Sequence, residues 1–323
     1  MKKTKIILSI LLLGTLLAGC KEDTHYKLDA QASITKQIEM KNYVFTGNAD
    51  IDLGKLISPS KDGNAITANL IGILQNSSID FNGVANTEPV QLEVDLKAKP
   101  VVLAGTSLDL PIILKDNKLY MNIPLLSQKD EFFEIDLTKL GSTDHPNSAL
   151  TPDSLKNISQ ISSSLSKLIV DDMQEAWFKK SKDVLTLQDG SKATLLTIVV
   201  DDKNKAALSA IFQEKLPKII STLQTSGILS TEQAEKINQN NFPSIQIEIP
   251  SSIALTIDEA GFIREQQIKL TFSIKDAAGA TATHHLNLKQ TYDQINKNPA
   301  FTKEVSAKIK PFEDILKLLA PKK

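Results

Sequence analysis

The stretch from Asn42 to Leu53 constrains this chain most. Tyr43, Phe45, Gly47, Ala49, Ile51 and Leu53 alternate there with Asn42, Val44, Thr46, Asn48, Asp50 and Asp52. Side chains of a strand point in turn to its two faces, so this period of two predicts a β-strand with one apolar and one wet face. Ile79, Phe81, Gly83 and Ala85 alternate in the same way with Asp80, Asn82, Val84 and Asn86. Val90, Leu92, Val94, Leu96 and Ala98 do so with Gln91, Glu93, Asp95 and Lys97. Parallel strands are buried on both sides, whereas three consecutive strands each wet on one side predict an antiparallel meander. The spacing Phe-x-Gly-x-Ala occurs twice, at Phe45-Gly47-Ala49 and Phe81-Gly83-Ala85. A glycine inside a strand marks a bulge, a bend or a close backbone approach, and curvature is the expectation here.

Leu108 to Leu114, the turn Lys115-Asp116-Asn117-Lys118 and Leu119 to Ile123 read as a hairpin continued by Phe132 to Leu137. Pro111 and Pro124 suggest edges or strand ends. Thr151-Pro152-Asp153 then opens a helix carrying Leu155, Ile158, Ile161, Leu165, Leu168 and Ile169 on one face and running towards Trp177. A strand from Ala193 to Val200 precedes a second helix, Leu208 to Leu223, which Pro217 should kink or interrupt. A short helix follows over Thr231 to Asn238, then strands at Ile245–Ile249, Ile253–Ile257, Gln267–Lys275 and Ala282–Leu288. Phe301, Val305, Ile309, Phe312, Leu316 and Leu319 predict a terminal amphipathic helix jointed at Pro311, and another helix covers Leu28 to Met40. The order lacks a strand-helix-strand rhythm, so the fold class is α+β with helices over one sheet face. The Phe-x-Gly-x-Ala echo hints at duplication but does not divide the domain.

At the N-terminus Lys2, Lys3 and Lys5 precede an apolar run of 13 residues, Ile6 to Ala18. A bilayer-spanning helix needs about 20, so residues 1–19 read as a signal peptide. The run ends Leu17-Ala18-Gly19-Cys20, which resembles the bacterial lipoprotein box. The resemblance implies that the Cys20 sulfur receives a diacylglyceryl group and becomes the first residue. Residues 20–27 are then a lipidated tether and 28–323 a single domain, extracytoplasmic and held to the membrane through Cys20. Arg264 is the only arginine, a lysine bias that suits an AT-rich Gram-positive genome.

Composition narrows the function. Without the leader, 34 basic residues face 38 acidic ones, a net charge of −4 that gives no footprint for nucleic acid. A single cysteine excludes an internal disulfide and any cysteine-based zinc or iron–sulfur centre. His25, His145, His284 and His285 form no HExxH pair. His284 and His285 are strand neighbours pointing to opposite faces; a structural role is expected for His284 and solvation for His285. Asp50 and Asp52 lack the later ligands of a calcium loop and read as surface charges. Ser142, Asp144 and His145 supply triad residue types, but their adjacency orients no base, so the segment is a turn. Isolated glycines carry no nucleotide motif, and Trp177 reads as core. No metal, cofactor or catalytic residue is assigned, and the reading is of a non-enzyme.

The chain resembles bacterial lipoproteins of the LolA and LppX-like superfamily over most of residues 28 to 290. The resemblance rests on Tyr43-Val44-Phe45-Thr46-Gly47, Lys118-Leu119-Tyr120-Met121-Asn122-Ile123-Pro124, and Leu255-Thr256-Ile257-Asp258 leading through Gly261 to a long strand. It implies a strongly curved antiparallel sheet, a half-barrel, whose concave side is closed by helices over an apolar space for lipid. Phe45, Ile51, Phe81, Leu92 and Val94 are the candidate ligand-lining residues. The same positions also suit a filled core, as in a structural or protein-interaction envelope lipoprotein without a ligand. A transporter's solute-binding subunit would instead require two parallel α/β lobes.

Overall fold

The computed structural model describes residues 25–52, 76–101, 106–124, 126–128, 130–139, 157–227, 229, 231, 234–235, 244–275 and 281–312. The leader, Cys20, Leu53, the Thr151-Pro152-Asp153 helix start, Ser142, Asp144, His145, most of 231–238 and the last residues from 313 lie outside them. The architecture is α+β: one twelve-stranded mixed sheet and three helices among the described residues.

The strands are β1 (Asn42–Asp52), β2 (Asn76–Thr87), β3 (Val90–Pro100), β4 (Leu108–Lys115), β5 (Lys118–Met121), β6 (Glu131–Asp136), β7 (Phe178–Thr186), β8 (Lys192–Val200), β9 (Ser244–Asp258), β10 (Ile263–Lys275), β11 (Thr281–Asp293) and β12 (Lys308–Pro311). The helices are α1 (Tyr26–Lys36), α2 (Ile158–Val170) and α3 (Lys205–Thr225). The spatial order is β12-β6-β5-β4-β3-β2-β1-β11-β10-β9-β8-β7, an open sheet whose ends do not meet. Two meanders thus join at the β1–β11 pair, one running outwards from the centre and the other inwards from the edge. Every pairing is antiparallel except β12 on β6.

Local chemistry explains most of this. Asp116 and Asn117 take φ of 52° and 60°, the left-handed pair that a two-residue hairpin turn between β4 and β5 requires. Pro111 lies within β4, not at its end. Asn122 N–H donates to the Pro111 carbonyl at 3.3 Å. The N and C=O of one strand residue point the same way, so the missing N–H faces away from β3 and no β3–β4 bond is lost.

Four expectations change. The first helix after β6 stops at Val170 rather than running to Trp177, and a single 3₁₀ turn, Glu175–Trp177, follows. The second helix spans Pro217 as one element, so of the two outcomes expected there the interruption does not occur. The two strands around Pro250 are one strand, β9, with a register shift against β10 between Lys269 and Thr271. The segment after Phe301 is not helical over its described part and pairs as a strand at Lys308–Pro311. Glu93, 5% exposed, accepts the Thr302 and Lys303 N–H groups at 2.9 Å each, and Lys303 Nζ binds both Asp95 oxygens at 2.7 Å. Residues 294–312 therefore form a strap from β11 over the polar face of β3 to the β6 edge. Phe312 N–H closes it on the Glu134 carbonyl at 3.0 Å. A buried carboxylate that satisfies two backbone donors outweighs a weak helical spacing flanked by Pro299 and Pro311.

β7 was not expected. Its sequence, Phe-Lys-Lys-Ser-Lys-Asp-Val-Leu-Thr, buries only Phe178, because an edge strand needs little apolar surface. The main core joins Ala30 and Ile34 of α1, Leu208 of α3, and Val170, Met173, Trp177 and Phe178 to Leu196, Ile198, Val200, Ile247, Leu255 and Ile263 of the sheet. Each fully buried aliphatic side chain here contributes about 1.5–3 kcal/mol relative to exposure.

Candidate functional site: the apolar face of the sheet

Residues directly opposite in a ladder share a face, so the registers define what the sheet presents. One row reads Leu108, Ala98, Ile79, Ala49, Leu288, Ile268, Ile253, Ile198, Phe178, crossing nine strands from β4 to β7 without a polar residue. The helices pack on this face towards its β7 end, where the main core lies.

All five candidate residues lie on that same face. Phe45 is opposite Gly83, which is opposite Val94; Phe81 is opposite Gly47; and Leu92 shares a row with Ala85 and Tyr43. Phe45, Val94 and Ala85 are buried and pack with Tyr43, Phe81, Leu92, Leu96, Ile112 and Tyr292 in a second cluster. Among the described residues this cluster is built from strands alone. Ile51 stands apart from this cluster, in a row that reads Pro100, Ser77, Ile51, Leu286, Leu270. The structure thus brings together four of the five.

The repeated Phe-x-Gly-x-Ala spacing has a physical basis in the register. Each phenylalanine lies over the glycine of the other strand. A Cβ built on Gly83 would meet Phe45 Cζ at 2.8 Å, and one on Gly47 would overlap the Phe81 ring. The two rings are 6.2 Å apart and tilted by 45°. The glycines are needed for close approach by rings and by neighbouring backbone carbonyls, those of Lys289 and Glu93.

Tyr292 was not foreseen as part of this cluster. It meets Tyr43 edge-on at 5.6 Å and 74°, and burial pushes both phenol pKa values above their ordinary range. Continuing the alternation of Ala282 to Leu288 by two residues beyond Gln290 would have placed it on the apolar face.

The other candidates resolve as follows. His284 is 2% exposed, opposite Phe272 with ring centroids 5.3 Å apart, while His285 is exposed on the other face with Nδ1 3.3 Å from Thr271 Oγ1. Asp50 and Asp52 are exposed, and Trp177 belongs to the main core. Among the described residues no group of three or more His, Cys, Asp or Glu is placed to hold a metal ion, and no helix is long and apolar enough to cross a membrane.

The sole arginine has a role that composition alone did not reveal. Arg264, 8% exposed, donates from Nε to the Tyr292 carbonyl (2.9 Å), from Nη1 to Ser191 Oγ (3.3 Å) and Asp258 (3.5 Å), and from Nη2 to Asp189 (3.1 Å) and Asp293 (2.9 Å). These five contacts engage the whole guanidinium fork, which fastens the β7–β8 turn, the β9–β10 turn and the end of β11 to one another.

Two concavities border α1. One of about 500 Å³ lies between α1 and α2, lined by Gln31, Thr35, Lys36, Glu39, Lys167 and Asp171 among others. A narrower one of about 360 Å³ runs between α1 and β7–β9, with Leu196, Ala193 and Ile257 on its floor and Asp29, Lys180 and Lys192 around it. Neither is lined by the five candidate residues. No protein-family profile matches the chain, and no curated protein is similar to it.

Proposed function

We propose that the chain is an extracytoplasmic lipoprotein, moored to the cell membrane through an acylated Cys20, that binds or carries a lipid or another apolar ligand against the apolar face of its sheet. In this reading the sheet is curved into a half-barrel of the LolA and LppX-like kind, with helices over its concave side, and the protein is not an enzyme. The observation that carries it is the apolar row across nine strands, far broader than one strand pair needs for its own burial. Hydrophobic desolvation would supply the affinity.

The reciprocal packing of Phe45 on Gly83 and Phe81 on Gly47 favours a second reading, in which this face is filled by its own side chains and the protein serves as a structural or interaction component of the envelope. Native mass spectrometry of protein lacking residues 1–20 separates the two. Co-purifying lipid across several gentle preparations supports carriage, and its consistent absence supports the filled core. Incorporation of a labelled fatty acid that is lost in Cys20→Ala tests the anchor.

A further inference from the structure

We propose that the β7 edge of the sheet, with α1 laid against it, rests on the surface of the anionic bilayer that holds the chain, while the β12 edge points away. This rests on the acylated Cys20 proposed above. Five residue steps separate Cys20 from His25, which caps α1. However they run, they span at most about 18 Å.

The helix is fixed to the β7 end of the molecule. Lys180 Nζ binds Asp29 Oδ2 at 2.9 Å, and Lys27 donates to Glu175 Oε1 at 3.2 Å and to the Asp171 and Met173 carbonyls at 2.6 and 2.8 Å. The tether therefore keeps this corner near the lipid. Its surface suits the location: Leu28 and Val184 are 56% and 61% exposed, although both are large and apolar, and Leu185, 39% exposed, points to the other face of the same edge strand. Lys179 and Lys182 are exposed in the same strand, Asp183 is its one acid, and Lys180 is already engaged by Asp29. Apolar tips beside lysine ammoniums match the headgroup boundary of an anionic membrane, where the tips enter the acyl border and the cations meet phosphates. β12 lies at the opposite end of the strand order. Eleven steps of about 4.8 Å put about 50 Å of sheet between the two edges, and α1, where the tether ends, packs at the β7 one.

Single cysteines introduced at exposed positions test this. With Cys20 acylated, Val184→Cys and Ile309→Cys each carry one reactive thiol for an environment-sensitive fluorophore, and Lys182→Cys is a second β7 probe should the first variant fold poorly. The full chain is placed in phosphatidylglycerol vesicles containing brominated phospholipid, and fatty-acid incorporation is measured on the same samples. The expected result is strong quenching and a blue shift at 184 and 182, with neither at 309. Acylated protein whose β7 and β12 probes are quenched equally, or not at all, overturns the orientation. Undiminished quenching on zwitterionic vesicles overturns the lysine contact. Protein without incorporated fatty acid overturns the anchor and the orientation together, a failure that the label reads separately.

Discussion

Replacing Gly83 by alanine should cost about 1–2 kcal/mol, and part of that cost should persist when Phe45 is truncated as well. The new methyl would lie 2.8 Å from Phe45 Cζ, 3.1 Å from the Glu93 carbonyl carbon and closer still to its oxygen. The ring can turn aside. The carbonyl cannot, because Glu93 is paired with Val84 in the β2–β3 ladder. Overpacking of this kind costs about 1–3 kcal/mol, and the lower unfolded-state entropy of alanine returns about 0.4–1 kcal/mol. Phe45→Ala alone should cost about 3–5 kcal/mol, because the ring is one of the three buried members of its cluster. In the double variant, removing the ring should relieve about 0.5–1 kcal/mol of the alanine penalty and leave the share due to the carbonyl. Urea unfolding of the four proteins, read from midpoints at constant m-value, measures the cycle. The reasoning fails if Gly83→Ala is as stable as the parent, or if its penalty vanishes once Phe45 is gone.

Three further outcomes are expected. Glu93→Gln keeps one good acceptor where the carboxylate offered two, so it should cost about 1–3 kcal/mol and speed amide exchange at Thr302 and Lys303; unchanged exchange there would show that the strap is held elsewhere. The Ser191 hydroxyl and amide, followed by Arg264 and against some desolvation, hold the Asp189 carboxyl well below the usual range. A depressed folded-state pKa gives stability that is present above the ordinary aspartate value of about 4 and is lost as pH falls through the folded value. The difference in thermal midpoint between wild type and Asp189→Asn should therefore shrink as acid is added below about pH 4, and a pH-independent difference would refute it. Leu196→Ala, at 1% exposure in the main core, should cost about 2–5 kcal/mol, whereas Leu185→Ala, at 39%, should stay within about 0.5 kcal/mol by denaturant titration.

The strands from β1 to β3 could be read in advance because apolar and polar residues alternate along each, and that alternation survives in the sequence whatever their neighbours. The same alternation placed Phe45, Phe81, Leu92 and Val94 on a common face before any pairing was known. β7 left no such trace, since an edge strand of lysines is held by backbone bonds to β8 and by one buried phenylalanine. The strap was misread for a related reason. Phe301, Val305 and Ile309 are spaced for a helix, but the groups that decide their conformation, Glu93 and Asp95, lie about two hundred residues earlier.

Sequence alone determined the α+β class, the one-sided strands and the residues that supply the apolar face, because periodicity and turn chemistry are local properties of the chain. Tertiary structure decided that two meanders meet at β1 and β11, that each glycine of the repeated motif lies under the other strand's phenylalanine, and that a single arginine ties three strand ends. Those features arise from register and from buried charge finding distant partners, and neither is encoded in any short stretch of residues.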